Sequence, residues 1–269
     1  MRRCNERLRK MVQEEQRPYQ QLAVARFLGG VLYEDQGEID DAFIDYREAL
    51  RLEPSLSRAL AEPLLRLARA GGRAQELEEL QRQLGAAPPG PPAPDTGQLV
   101  ILIEAGLAPQ KEEERHVAWA GGKAMQMTAV PVFRSRGLPG RAAVEVGAQS
   151  AEAALITSVH EVARRHLEDR VGRVIARLVA STAIRAGIAA GVGAAAKDEN
   201  AGFLAFFLLS LFEAADLRSW LSLPAEFQAA RFRLPAGAHT VTVRLGGHRS
   251  EHQVLVRARR VGLLVVRAY

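Results

Sequence analysis

A single cysteine, Cys4, occurs among 269 residues. That excludes an intrachain disulfide framework and every multi-cysteine zinc or iron–sulfur site. Aromatic residues are scarce as well, at 6%. Lysine is scarcer still: Lys10, Lys111, Lys123 and Lys197 are four of 36 basic residues, and the rest are arginine. Beside abundant alanine, that bias matches GC-rich coding. The pI of 9.8 is therefore a weak pointer to nucleic acid. Long apolar runs are also missing. The longest, Ala201–Phe212, holds about a dozen residues, against the roughly 20 that a membrane-spanning helix needs. It reads as a buried helix. The start, Met1-Arg2-Arg3-Cys4-Asn5-Glu6, is charged, and no apolar h-region follows it, so no secretory signal is legible. What remains is ordinary globular usage, 48% hydrophobic and 25% charged. The length suits one large domain or two modest ones.

Catalytic constellations are missing too. Gly191-Val192-Gly193-Ala194-Ala195-Ala196 spells G-x-G-x-x-A, but a dinucleotide site needs a strand before that turn. Here an Ala-rich, helix-like segment precedes it. There is no G-x-S-x-G elbow and no phosphate-binding G-x-x-x-x-G-K. Of the six histidines, His160 and His166 stand six apart, on different faces of a helix. His248 and His252 flank a predicted hairpin turn, where a helical metal pair cannot form. Glu112-Glu113-Glu114 and Glu168-Asp169 sit beside Arg115 and Arg170 and read as solvated faces. The expectation is a non-enzymatic protein without metal or cofactor.

Residues 85–97 contain five prolines. Proline fixes φ and removes backbone donors, so this stretch reads as a stiff linker between residues 1–84 and 98–269. Before it everything reads helical: Asn5–Glu15, Gln20–Asp35, Ile39–Leu52, Ser57–Ala70 and Arg73–Leu84, punctuated by Gly37, Pro54 and Gly71-Gly72. After it Leu99–Ile103, Thr128–Phe133 and Ala142–Val146 read as strands. Glu152–Ala180 reads as one long amphipathic helix, with Leu155, Val159, Val162, Leu167 and Val171 recurring at helical spacing. The tail offers four strands, Phe232–Leu234, His239–Leu245, Gln253–Ala258 and Val261–Ala268, expected to form an antiparallel meander. Leu263 to Val266 are apolar on both faces, so the last strand is expected inside the sheet.

Charge is uneven. Residues 1–84 carry 14 basic and 15 acidic residues, whereas residues 228–269 carry eight Arg against Glu251. Arg231, Arg233, Thr240, Thr242, Arg244 and Arg257 fall on alternate positions and predict a solvated basic sheet face. That face lacks the aromatics of nucleic-acid platforms, so it is a weak alternative site for acidic ligands or nucleic acid.

The strongest motif runs from Ala23 to Leu56, 34 residues, the period of a tetratricopeptide helix–turn–helix unit. Gly30 takes the small position where paired helices touch, and Tyr33 follows. Gly37 lies in the turn. Ala42, Tyr46 and Ala49 form the small–aromatic–small pattern of the second helix, and Pro54 closes the unit. The next 34 residues keep Gly71 in register but place Glu76 and Gln83 where small residues belong, as terminal repeats often do. This predicts a protein- or peptide-binding groove, with Arg26, Tyr33, Asp41, Asp45 and Arg47 as contributors.

Four segments together resemble an uncharacterised bacterial family of tetratricopeptide-containing cell-envelope lipoproteins. They are Gly30-Val31-Leu32-Tyr33-Glu34 with residues 41–50, Glu104-Ala105-Gly106-Leu107-Ala108-Pro109-Gln110-Lys111, residues 215–224, and Arg231-Phe232-Arg233-Leu234-Pro235-Ala236-Gly237. The most specific signature is Asp216, Arg218, Ser219, Trp220 and Pro224. From the residues alone, Asp216 can cap or pair with Arg218, Trp220 is an apolar anchor and Pro224 ends the element. The resemblance implies a scaffold in the periplasm or at the outer membrane. A lipidated signal and further repeats usually precede this region, so the chain reads as an N-terminally truncated frame; with Met1 as a genuine start it reads as cytoplasmic.

The expected fold is α+β: N-terminal tetratricopeptide-like hairpins, then a mixed domain with long helices and a C-terminal antiparallel sheet. The expected partner is a protein or peptide. The rival reading is a membrane-associated assembly protein using the apolar 183–215 region.

Overall fold

The computed structural model describes residues 22–87, 89–90, 93–120, 124–167, 187–188, 190–192, 194–196 and 217–269. The expected helix at Asn5–Glu15 and nearly all of the apolar 183–215 region lie outside them.

Four helices open the described chain: α1 (Ala23–Gln36), α2 (Ile39–Leu52), α3 (Ser57–Ala70) and α4 (Ala74–Leu84). Their boundaries follow the punctuation in the sequence. Gly37 takes φ 83 at the end of α1, a left-handed conformation that costs glycine little. Pro54 starts a 3-10 turn, Pro54–Leu56, between α2 and α3. Close approach of α1 and α2 depends on Gly30. A Cβ there would stand 2.5 Å from Cδ1 of Tyr46. Phe27, Val31, Ala42, Phe43, Tyr46 and Ala49 are buried around this contact, and Leu56, Leu60, Leu64 and Leu67 extend the core along α3. The Phe27 and Tyr46 rings lie 6.0 Å apart.

Ten strands follow: β1 (Thr96–Ala105), β2 (Gln110–Ala120), β3 (Ala124–Arg134), β4 (Ala143–Val146), β5 (Gln149–Glu152), β6 (Ala154–Ser158), β7 (Glu226–Pro235), β8 (Gly237–Leu245), β9 (His248–Val256) and β10 (Val261–Ala268). They form sheets in the orders β10-β1-β7-β6 and β5-β4-β8-β9, plus a two-stranded β2-β3 hairpin. The architecture is thus mixed α+β, helices first and a C-terminal sheet region after.

Several expectations need correction. The four tail strands are not one meander. Strands β8 and β9 pair antiparallel across a two-residue Gly246-Gly247 turn, from Leu245↔His248 to Gly237↔Val256, but β7 and β10 flank β1 in the other sheet. Strand β1 is apolar on both faces, with Leu99 to Ile103 all buried, so it takes the central place. Strand β10 is consequently an edge, with Leu263 and Val265 exposed, not an interior strand. The expected helix from Glu152 begins late. Residues 152 and 154–158 are strand, and helix starts at 159. Its apolar positions between Leu155 and Val159 satisfy both periods, and sheet pairing decides. Strand β2 was hidden by its charges. It pairs residue for residue with β3, Gln110↔Arg134 to Ala120↔Ala124. Glu112 meets Arg134 at 3.4 Å and Glu113 meets Arg115 at 2.6 Å. The G-x-G-x-x-A letters fall where residues 190–192 and 194–196 are helical.

Two compact units emerge. One takes the described residues up to Ile103 with Arg141–Thr157 and Gln228–Val266. The other takes Glu104–Gly140, the described part of Ser158–Phe227, and Arg267–Tyr269. The proline stretch at 85–97 separates helices from strands in sequence, whereas compactness groups all four helices with strands of the tail.

Candidate binding grooves

In the first unit the inner side of α1 and α3 meets β7. Arg231 is the centre. Its side chain is 11% exposed, and its Nη2 donates to Glu34 Oε2 at 2.6 Å and Oε1 at 2.7 Å. Nη1 donates to the Tyr46 hydroxyl at 3.0 Å, and Nε to Gln98 Oε1 at 2.5 Å. The guanidinium also lies 5.7 Å from the Tyr46 ring centroid. Tyr46 in turn donates to Glu34 Oε2 at 2.8 Å, and Arg66 adds a second guanidinium to Glu34. Two residues along β7, Arg233 pairs with Glu62 at 2.5 Å. Farther along the tail Arg260 pairs with Asp35 at 2.7 Å, and Asp35 also accepts from the Val261 amide.

The electrostatics follow from this packing. Burial alone would raise the Glu34 carboxyl, but Arg231 and Arg66 outweigh it and hold its pKa below the ordinary carboxylate value. Burial pushes the Tyr46 hydroxyl well above its ordinary value, against the opposing pull of Arg231, so Tyr46 stays a neutral donor. The expected solvated basic face is therefore corrected at Arg231 and Arg233. Neither strand order nor exposure makes one face of β7 and β8, since the two lie in different sheets. Sequence alternation identified which side these arginines share but not that acidic helices cover it.

Two openings border this arrangement. A crevice of about 710 Å³ is lined by Arg58, Ala59 and Glu62 of α3, by Ala151 to Leu155, and by Ala229 to Arg233 of β7. Its floor is mainly alanine, and its charged groups include the Arg233–Glu62 pair. A second groove, of about 570 Å³, runs over the outer side of the helices between α2 and α4. Phe43, Ile44, Leu50 and Leu80 supply its apolar surface. Ile44 is 55% exposed there. Arg26, Arg47, Arg51 and Arg73 alternate around it with Glu48, Glu76 and Glu79. Arg73 sits 4.8 Å over the Phe43 ring and bonds Asp40 at 2.6 Å. Arg51 and Glu48 pair at 2.5 Å.

The residues selected from sequence divide. Arg26 and Arg47 line the outer groove. Asp45 is buried beneath it and holds Arg26 at 2.6 Å. Tyr33 and Asp41 are exposed but outside the lining. Glu34, Arg66 and Gln98 were missed. Glu34 follows the marker Tyr33 directly, yet only the fold shows that it faces β7. In the signature segment Asp216 lies outside the described residues. Arg218 is exposed, Ser219 half-buried and Pro224 buried. Trp220 is 79% exposed, so it is not an internal anchor.

Among the described residues no group of three His, Cys, Asp or Glu side chains is placed to hold a metal ion. No described helix is long and apolar enough to cross a membrane. Comparison with known proteins finds no matching family model, no matching curated protein and no matching solved structure.

Proposed function

We propose that this chain is a non-enzymatic protein-binding scaffold of tetratricopeptide type, and that it takes a peptide segment of its partner in the outer groove between α2 and α4. The observation that carries the reading is the contrast between the two sides of the helices. On the inner side the polar groups of Glu34 and Glu62 are already satisfied by Arg231 and Arg233 of the same chain. On the outer side an apolar floor with exposed Ile44 stands open under a rim of charged residues. An apolar floor gives affinity and a charged rim gives register, which suits a peptide better than a small polar metabolite. The 34-residue pattern and the Gly30–Tyr46 contact support the tetratricopeptide reading. The resemblance to envelope lipoproteins supports a place in the periplasm or at the outer membrane.

The basic tail is a weaker alternative. Arg231, Arg233, Arg244, Arg249, Arg260 and Arg267 each already meet a carboxylate, so little uncompensated charge remains for nucleic acid. Peptide display against the full chain tests the proposal. Enriched peptides should lose at least about tenfold in affinity on Ile44→Asp or Arg47→Glu, and keep it on Arg249→Glu. Failure to enrich any peptide, or enrichment indifferent to Ile44 and Arg47, would overturn it.

A further inference from the structure

The segment 217–225 is pinned yet presents its largest apolar side chain to solvent. Arg136 donates from Nε to the Ala108 carbonyl at 2.6 Å and from Nη2 to the Leu221 carbonyl at 2.7 Å. The Ala108 amide donates to the Leu223 carbonyl at 2.9 Å. Pro139 and Ala225 both lie against Gly106, within 3.3 Å of where its Cβ would stand. Two loops, 135–140 and 217–225, are thus tied to the same piece of chain. Trp220 is 79% exposed, Leu221 50% and Leu217 42%, while Leu138 on the other loop is 60% exposed. An indole held out by a hydrogen-bonded backbone is not a fraying end. Leaving it in water forgoes the burial of a large apolar surface, and clustered exposed apolar residues mark interaction sites.

We propose that this loop pair is a lipid-surface anchor, with Trp220 and Leu221 entering the headgroup boundary of an anionic bilayer. Three observations select lipid over a protein groove. Tryptophan with flanking leucines suits the interfacial zone, where the ring is buried and its N–H stays wet. Segments 135–140 and 217–225 hold Arg136 and Arg218 and no acidic residue, whereas Arg134 beside them is paired with Glu112. The Arg136 guanidinium spends these hydrogen bonds on carbonyl oxygens, so its charge complements anionic headgroups. In sequence, the longest apolar run, Ala201–Phe212, ends just before this segment. The inference does not depend on the peptide groove, which lies on other elements.

Tryptophan fluorescence of the full chain with vesicles of phosphatidylcholine and phosphatidylglycerol tests it. In a Trp119→Phe background, which leaves Trp220 as the sole indole, emission should shift to the blue and be quenched by brominated acyl chains. In co-sedimentation, Trp220→Ser should weaken partitioning about tenfold relative to the unaltered chain. Trp220 is exposed, so this change leaves folding intact, which circular dichroism checks. Unchanged emission overturns the proposal. So does vesicle binding that Trp220→Ser leaves intact, since another segment would then carry it. Absence of vesicle binding overturns it as well and returns the patch to a protein partner.

Discussion

Arg231 illustrates how one side chain can change the reading of a whole segment. On paper it is one of eight arginines in a basic tail. In the fold it is a buried cation with Glu34, Tyr46 and Gln98 around it. Removing one partner of such a pair leaves the other charge buried and unmatched. Arg231→Ala or Glu34→Ala should therefore each cost about 3–5 kcal/mol in denaturant unfolding. The double change should cost clearly less than the sum, because the second removal cures the orphan left by the first. The same pair sets an acid limb. Glu34 is held below its ordinary pKa, so the folded state binds fewer protons than the unfolded state as pH falls. Its contribution is complete above the ordinary carboxylate range and is lost as pH drops through the lowered folded value. Glu34→Gln should flatten that limb in urea titrations across acid pH. Gly30 offers a third test. Alanine favours a helix by about 1 kcal/mol over glycine. Here its Cβ would stand 2.5 Å from the Tyr46 ring. Overpacking of about 1–3 kcal/mol should win, and Gly30→Ala should lower the melting temperature.

Among the elements, the helices were the most legible. Ile39–Leu52 and Ser57–Ala70 fall where periodicity and breakers put them, because Gly37, Pro54 and Gly71 act locally. Strands were legible where apolar residues set the period, as in β1. They were hidden where they did not. Strand β2 carries Glu112 to Glu114 opposite Val132 to Val130 and exists through its partner β3. Strand β10 shows the converse error. Its apolar run looked interior, but among the described residues only β1 pairs with it, and Leu263 and Val265 stay exposed. An exposed apolar edge is an aggregation site. Val265→Lys should change unfolding free energy by less than about 0.5 kcal/mol, while light scattering at high concentration should fall.

Across the molecule, the charge asymmetry acquires a different meaning. The near-neutral helices and the basic tail complement each other within one compact unit, through Glu34, Asp35 and Glu62 against Arg231, Arg260 and Arg233. The helical segment should therefore not behave as an independent module. Expressed alone, residues 22–84 keep Arg66 beside Glu34 and Glu62 but lose Arg231 and Arg233, and they uncover the side of α3 that faces β7. Circular dichroism should show reduced helicity and a broad, non-cooperative melt. A sharp transition like that of the whole chain would contradict this view.

The sequence by itself determined the local order: where the helices between 39 and 84 start and stop, that Gly30 is the small residue where paired helices touch, and that the helical region precedes the C-terminal strands. These follow from φ limits, side-chain period and the size of one residue beside its neighbour in the same hairpin. Tertiary structure alone decided which strands share a sheet, which arginines are buried and that Trp220 is left in water. Those outcomes depend on pairings between residues nearly 200 positions apart, such as Glu34 and Arg231. No period or spacing within one segment encodes which distant segment will cover it.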